Sequence, residues 1–341
     1  MTQADAAVAL LWLSLTAYAV LAGADFGGGV WDIFATGPRK RAQRQAVARA
    51  MGPVWEANHV WLIFMITGLF TAFPIAFGSL GLALYIPVTI ALLGIVLRGA
   101  AFVFRAHGRA AVGELSPWGL VFGGSSIITP FFLGTAAAAV ASGSIRISGG
   151  RLLSGFGAGW STPFAVVVGL LSVALCAYLA AAYLMVETED DPALQSDFRR
   201  RALVASAVSG ALALLGLWVA YAQAPRVWTD LTGNGLVLML LALINGPIAL
   251  WGVWRWRPRI TRVAVAAQVA LVLWAWALGQ WPYLVPPDVT IAAAAAPAAT
   301  LQAWLVVVTI GMAMVIPSLV LLFRVFKARN PASGEPARMS G

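Results

Sequence analysis

Long apolar runs separated by short polar breaks dominate the chain. None alternates with the period-two pattern of a membrane β-strand. Each continues for about twenty residues, the length at which a helix crosses the hydrocarbon of a bilayer. The runs fall near Val8–Val30, Val54–Phe77, Leu80–Phe104, Leu120–Ala141, Thr162–Val186, Ala202–Ala222, Leu236–Trp256, Val263–Leu284 and Ala303–Phe326. The pattern predicts an all-α polytopic membrane protein of about nine transmembrane helices. That count is compatible with two four-helix bundles plus a peripheral helix. Residues 1–329 read as a single transmembrane domain and 330–341 as a disordered polar tail.

The polar breaks carry a directional signal. With the N-terminus periplasmic and the C-terminus cytoplasmic, every Lys and Arg except Arg146, Arg151 and Arg226 falls on the cytoplasmic side, as the positive-inside rule requires. The first run is too long for a signal-peptide core and has no small-residue cleavage pattern after it, so it reads as a retained span. Between spans, Ser142–Ser161 is rich in Gly and Ser and reads as a plain connector. The acidic segment Glu187–Asp197 precedes Arg199, Arg200 and Arg201 and reads as a solvated turn with local ion pairing. Ala292–Ala299 reads as an alanine-rich linker into the last helix.

Composition agrees with the pattern: 61% of the 341 residues are hydrophobic and 10% charged, with a mean hydropathy of +0.86, against about 25% charged in a soluble domain. The net charge of +9 follows from the loop bias and implies no nucleic-acid partner. A lone cysteine, Cys176, excludes an intrachain disulfide and a Cys-rich metal centre. No Ser-His-Asp pattern, phosphate-binding loop or dinucleotide fingerprint is present, and Gly27-Gly28-Gly29 reads as close helix packing.

Candidate chemistry gathers near the cytoplasmic ends of the first three spans. Asp25 lies roughly 25 Å along the first helix at 1.5 Å per residue. Glu56 sits one shallow turn into the second span, and Arg98 reaches a similar level on leaving the third. Ionisable side chains at membrane depth usually face protein, water or a proton path. One reading is therefore a buried cluster of Asp25, Glu56 and Arg98 lining a proton inlet. In the other, each side chain snorkels to headgroups or caps a helix. His59 shares a helical face with Glu56. The only other histidine, His107, lies in a loop, so the chain supplies no bis-histidine haem pair, and His59 reads as a packed, hydrogen-bonded side chain. Asn58 and Asn245 read as helix-to-helix hydrogen-bonding groups, and Trp251, Trp254 and Trp256 as interfacial anchors.

Two motifs in order, Gly23-Ala24-Asp25-Phe26-Gly27-Gly28-Gly29 and Gly52-Pro53-Val54-Trp55-Glu56-Ala57-Asn58-His59-Val60-Trp61, resemble subunit II of cytochrome bd-type quinol oxidases. The Leu97–Arg105 segment and Trp281-Pro282-Tyr283 leading to Pro286 are similar to the ends of that family's third and eighth helices. The resemblance implies a respiratory oxidase of the bacterial inner membrane that takes electrons from a quinol and reduces dioxygen to water. It implies haems b and d and the quinol site in a partner, subunit I, and no haem, metal or catalytic residue in this chain. A bound quinone and a small accessory subunit are compatible with it. Carried over by motif, Asp25 and Glu56 are the acids of a proton path, with Asn58, His59 and Arg98 as supporting polar groups. One departure weakens that route: Ala22 stands before Gly23 where the family often has a further acid. The competing expectations are a proton-coupled secondary transporter and a purely structural membrane scaffold. The shallow acids and the lack of a sequence repeat count against the transporter.

Overall fold

The computed structural model describes residues 2–51, 55–107, 116–148, 151–155 and 157–328; of residues 55, 56, 106, 107, 322, 323 and 325–328 only the backbone is described. The first apolar run becomes α1 (Gln3–Ile33), opened by a capping box in which Asp5 N–H donates to Thr2 Oγ1 and Thr2 N–H donates to the Asp5 carboxylate. A short amphipathic helix, α2 (Lys40–Met51), follows in a segment that the apolar pattern leaves as a loop. Next come α3 (Trp55–Ala72), α4 (Pro74–Ala83) and α5 (Tyr85–His107). The expected second span, Val54–Phe77, thus ends early. Pro74 has no N–H to continue the ladder and disfavours helical geometry at Phe73, and the chain bends by 119° between α3 and α4. The third span accordingly starts at Tyr85 rather than Leu80.

The remaining elements are α6 (Pro117–Ala141), a hairpin of β1 (Ile147–Ser148) and β2 (Arg151–Leu152), α7 (Pro163–Glu187), α8 (Pro192–Gln223), α9 (Pro225–Thr232), α10 (Leu236–Trp254) and α11 (Pro258–Gln280). A second hairpin, β3 (Tyr283–Val285) with β4 (Val289–Thr290), then leads through α12 (Ile291–Ala294) to α13 (Ala298–Ala328). Proline in the first turn, where its missing N–H costs nothing, opens α6, α7, α8, α9 and α11. Ser116, Thr162 and Asp191 accept the orphan N–H groups of α6, α7 and α8. Among the described residues, eight helices are long and apolar enough to cross a membrane, and the bent α3–α4 pair makes nine if counted as one span.

Helix α7 is the hub, packing on α1, α2, α6, α8 and α11. One apolar core, with Val47, Phe122, Met185, Phe198, Val253 and Val265, fills the arginine-rich half of the bundle. Another, with Leu11, Phe73, Ile145, Val285 and Leu301, fills the opposite half. Helix α13 leans chiefly on α1 and α3 and turns Val306, Val307, Ile310, Met314 and Leu321 outwards. It is the peripheral helix of the arrangement.

Several connections depart from expectation. Ser142–Ser161 is not a plain connector. Arg146 forms a two-point ion pair with Asp288 at 2.8 and 3.0 Å, and Ile147 N–H donates to the same carboxylate, clasping the two hairpins together. That pairing holds the Asp288 carboxyl below the usual carboxylate range, whereas burial under the end of α11 raises that of Asp230, opposed by Arg226. Two residues of the acidic segment find partners far along the chain. Asp197 takes Arg39 at 2.6 Å and Glu189 takes Arg259 at 3.2 Å. Arg199 instead donates to the Val253 and Trp254 carbonyls at 2.9 Å each, and Arg201 reaches the Trp31 and Phe34 carbonyls. Helix C-termini carry partial negative charge, which attracts both guanidiniums. Asn245 does join helices as expected, donating to the Ala264 carbonyl and to Gln268. Helix α10 ends in a Schellman turn: Arg257 N–H donates to the Gly252 carbonyl, and Trp256 sits at φ 54°. A tryptophan in this left-handed conformation costs about 1–2 kcal/mol relative to glycine.

The glycine run near the end of α1 is built for contact. A Cβ on Gly27 would overlap the Cys176 carbonyl of α7, and one on Gly29 would overlap the Ser126 side chain of α6. Gly27→Ala therefore separates α1 from α7 and costs about 1–3 kcal/mol as overpacking. Gly81→Ala, where nothing lies within 4 Å of the new methyl, gains up to about 1 kcal/mol of helix propensity. Thermal unfolding of the two purified variants checks the contrast; equal behaviour would contradict it.

Candidate functional site

Helix α6 packs on both α1 and α5, drawn close to α1 at Gly29, and brings charged side chains together inside the bundle. Asp25 is buried on α1, and its Oδ2 accepts a hydrogen bond from the Asn58 amide of α3 at 2.5 Å. Arg98 of α5 is 2% exposed. Its guanidinium donates to the Asp25 backbone carbonyl at 3.0 Å and to Ser126 Oγ at 3.1 Å, and lies over the Phe26 and Phe122 rings at 5.0 and 5.1 Å. Of the two readings open for Arg98, snorkelling fails: the side chain points inwards and makes α1, α5 and α6 share one set of bonds. Ser126 Oγ completes the chain by donating to the Phe122 carbonyl.

Seven residues further along both helices the arrangement repeats. Asp32, 1% exposed, receives a bidentate pair from Arg105 at 3.0 and 3.1 Å, and Arg44 of α2 donates to the Asp32 carbonyl at 3.1 Å. The Phe122 ring is shared by the two layers, with the Arg105 guanidinium 5.2 Å and the Arg98 guanidinium 5.1 Å from its centroid. Cation–π contacts of desolvated guanidiniums reach about 2 kcal/mol each. The apolar pattern gives no hint of this second layer. The signal that could have found it is the shared spacing, Asp25 to Asp32 and Arg98 to Arg105, two helical turns on each of two helices.

The remaining expected residues divide. The Glu56 side chain lies outside the described residues, so its meeting with Asp25 is not settled by geometry, although α3 carries it two residues before Asn58. His107 likewise falls outside. The His59 ring is flanked edge-on by Tyr18 and Phe26, at 5.9 and 6.2 Å between centroids. Ala22, at the position of the missing acid, is fully buried in a small core with Tyr18, Phe26 and Cys176. The Tyr18 hydroxyl in that core is buried without a hydrogen-bond partner. Among the described residues no three His, Cys, Asp or Glu side chains gather as metal ligands.

Comparison with known proteins places this architecture. The family described as cytochrome bd terminal oxidase subunit II matches residues 4–326. A Bacillus subtilis protein, provisionally named cytochrome bd menaquinol oxidase subunit II, is 24% identical over 336 residues, covering 95% of this chain and 96% of that protein. Cytochrome bd-I ubiquinol oxidase subunit 2 of Escherichia coli K12 is 27% identical over 218 residues, 62% of this chain and 56% of that protein. One chain of the bd oxidase from Geobacillus thermodenitrificans superimposes with a TM-score of 0.75 at 23% identity, covering 97% of this chain and all of that chain; it speaks for the fold.

A buried ion pair that loses one member leaves an uncompensated charge, at about 3–5 kcal/mol. Asp32→Asn should lower stability by that order, and Asp32→Asn with Arg105→Gln should recover much of the loss. Thermal denaturation of wild type, both single variants and the double variant gives the coupling. Additive losses would contradict the pairing.

Proposed function

Since this chain belongs to the cytochrome bd terminal oxidase subunit II family, we propose that it serves as the haem-free second subunit of a bacterial inner-membrane quinol:dioxygen oxidoreductase, docked on a haem-bearing subunit I. The oxidoreductase chemistry belongs to the complex; haems b and d and the quinol site reside in subunit I. This chain stabilises that partner and delivers cytoplasmic protons for the reduction of dioxygen to water. Its arginine-rich end faces the cytoplasm, with the N-terminus on the periplasmic side. Two histidines and one cysteine in 341 residues leave little material for haem ligation, which favours placing the cofactors in the partner.

One observation carries the proton role: a carboxylate, Asp25, is held inside the bundle by a side chain of the helix that also bears Glu56. Protons entering at the cytoplasmic end reach Glu56 in the first turn of α3 and pass to Asp25 one turn deeper. The Asn58 amide orients the Asp25 carboxylate. Arg98, bonded to the Asp25 carbonyl and to Ser126, fixes the backbone that presents it and keeps a positive charge nearby. The second layer, Asp32 with Arg105, is saturated by its bidentate bonds and acts as a lock between α1 and α5 rather than as a carrier. Ala22 removes the acid that would prolong the path along α1, so the route leaves Asp25 directly for subunit I.

Asp25→Asn and Glu56→Gln test the route in the assembled complex. Quinol-oxidase turnover is expected to fall by about 10²-fold or more, the scale of a lost proton-transfer group, while the haem absorption spectrum stays intact. Loss of the haems together with activity would assign these residues to assembly and leave the chain a scaffold. Full activity in both variants would remove the proton role.

A further inference from the structure

Loop bias explains why arginines crowd one end of the bundle. It does not explain what their guanidiniums are bonded to. Most are satisfied within the chain: Arg39 by Asp197, Arg105 by Asp32, Arg199 by the end of α10, and Arg201 by the end of α1 and Gln43. The turn between α10 and α11 is different. Arg255 and Arg257 are exposed there, and neither meets a carboxylate or carbonyl acceptor among the described residues. Arg255 only lies over the Trp254 ring at 5.2 Å. Arg262, half-buried a turn into α11, only lies over the Tyr183 ring at 5.9 Å. Two exposed arginines two residues apart, with no carboxylate between them, leave the turn with positive charge to offer an anion.

Its shape narrows the choice of anion. A shallow, open groove of about 260 Å³ lies between Glu189, Trp256, Arg257, Pro258, Arg259 and Ile260. Glu189 would repel an anion, but its charge is taken up by Arg259 at 3.2 Å, which leaves the neighbouring arginines in excess. Trp256 forms one wall in a left-handed conformation that a tryptophan rarely adopts. It is held there beneath the Arg199 guanidinium, 4.6 Å from the ring centroid. Backbone strain of this kind accumulates at functional sites. Below the turn the outer face of α10 is apolar and exposed, through Trp254, Trp251, Ile248 and Ile244. A soluble phosphate would use the arginines and leave that face unused. An amphiphile uses both.

We propose that the α10–α11 turn binds the phosphodiester headgroup of an anionic phospholipid. Arg255 and Arg257 take the phosphate oxygens, Trp254 and Trp256 lie at the level of the ester linkages, and an acyl chain runs along Trp251 and Ile248. The site depends on the membrane-spanning architecture and not on the oxidase reading, so it stands if the proton role fails.

Native mass spectrometry of the complete complex, stripped of lipid in detergent and supplied with dioleoylphosphatidylglycerol or dioleoylphosphatidylcholine, tests the site. Wild type should retain phosphatidylglycerol about tenfold better than phosphatidylcholine, and R255Q/R257Q should abolish that preference. R49Q/R324Q, which removes two exposed arginines elsewhere at the same end, should leave it intact. Equal loss in both double variants would mean general charge attraction and overturn the site. So would unchanged binding in R255Q/R257Q, or displacement of the lipid by an equal concentration of inorganic phosphate. Should R255Q/R257Q fail to assemble, fluorescence decides. Brominated phosphatidylglycerol should quench wild type more than W256F, and brominated phosphatidylcholine should not distinguish them. Equal quenching of the two by the anionic lipid overturns the proposal.

Discussion

A guanidinium taken out of water must be met by acceptors and by polarisable surfaces, or its burial costs more than the fold can supply. In this chain that requirement is met by Arg98, and most of the first half of the bundle is arranged around meeting it. The Asp25 carbonyl, Ser126 Oγ and two aromatic rings surround it. They come from α1 and α6, so no one of the three helices can shift without exposing the charge. Glycines on α1 let α6 and α7 approach closely enough for these short bonds. The second layer, in which Arg105 pairs with Asp32 and also lies over Phe122, repeats the solution two turns nearer the membrane edge. The two layers fix the register of α1 against α5 in a way that apolar packing between smooth helices would not.

Much of this was legible in the sequence, and what was missed has identifiable causes. Apolar runs locate spans well because lipid leaves a helix few alternatives; Thr162–Val186 differs from α7 by a single residue at each end. Hydropathy is blind to direction, however. It could not tell that Pro74 turns the chain through 119°, or that the connector after Ala141 holds a hairpin clasped by Asp288. Charge pairing was misread where sequence proximity was taken for contact: Asp197 bonds to Arg39 across 158 positions, not to the arginines beside it. Counting depth along three helices grouped Asp25, Glu56 and Arg98; Asp25 and Arg98 do meet, and the side chain of α3 that reaches Asp25 is Asn58. Asp32 and Arg105 lay near enough to the expected membrane edge to pass for ordinary boundary charges.

The two ends of the molecule are held differently. At the arginine-rich end, guanidiniums are matched to helix C-termini and a buried carboxylate. At the other end, two small hairpins and an apolar core close the bundle, with one exposed ion pair as clasp. Helix α13 stands aside from both, presenting an apolar face outwards. In a membrane that face meets lipid or a second subunit. The family to which the chain belongs works as part of a complex, which gives such a surface a use.

The account turns on Asp25 changing its protonation state during turnover while Arg98 stays fixed beside it. Infrared difference spectroscopy of the working complex reads this directly. A carboxylic-acid stretch should appear and decay with dioxygen reduction in wild type and be missing in the Asp25→Asn variant. A signal that persists in that variant, or its absence from wild type, would mean that the buried acid is structural and that protons reach the haems by another way.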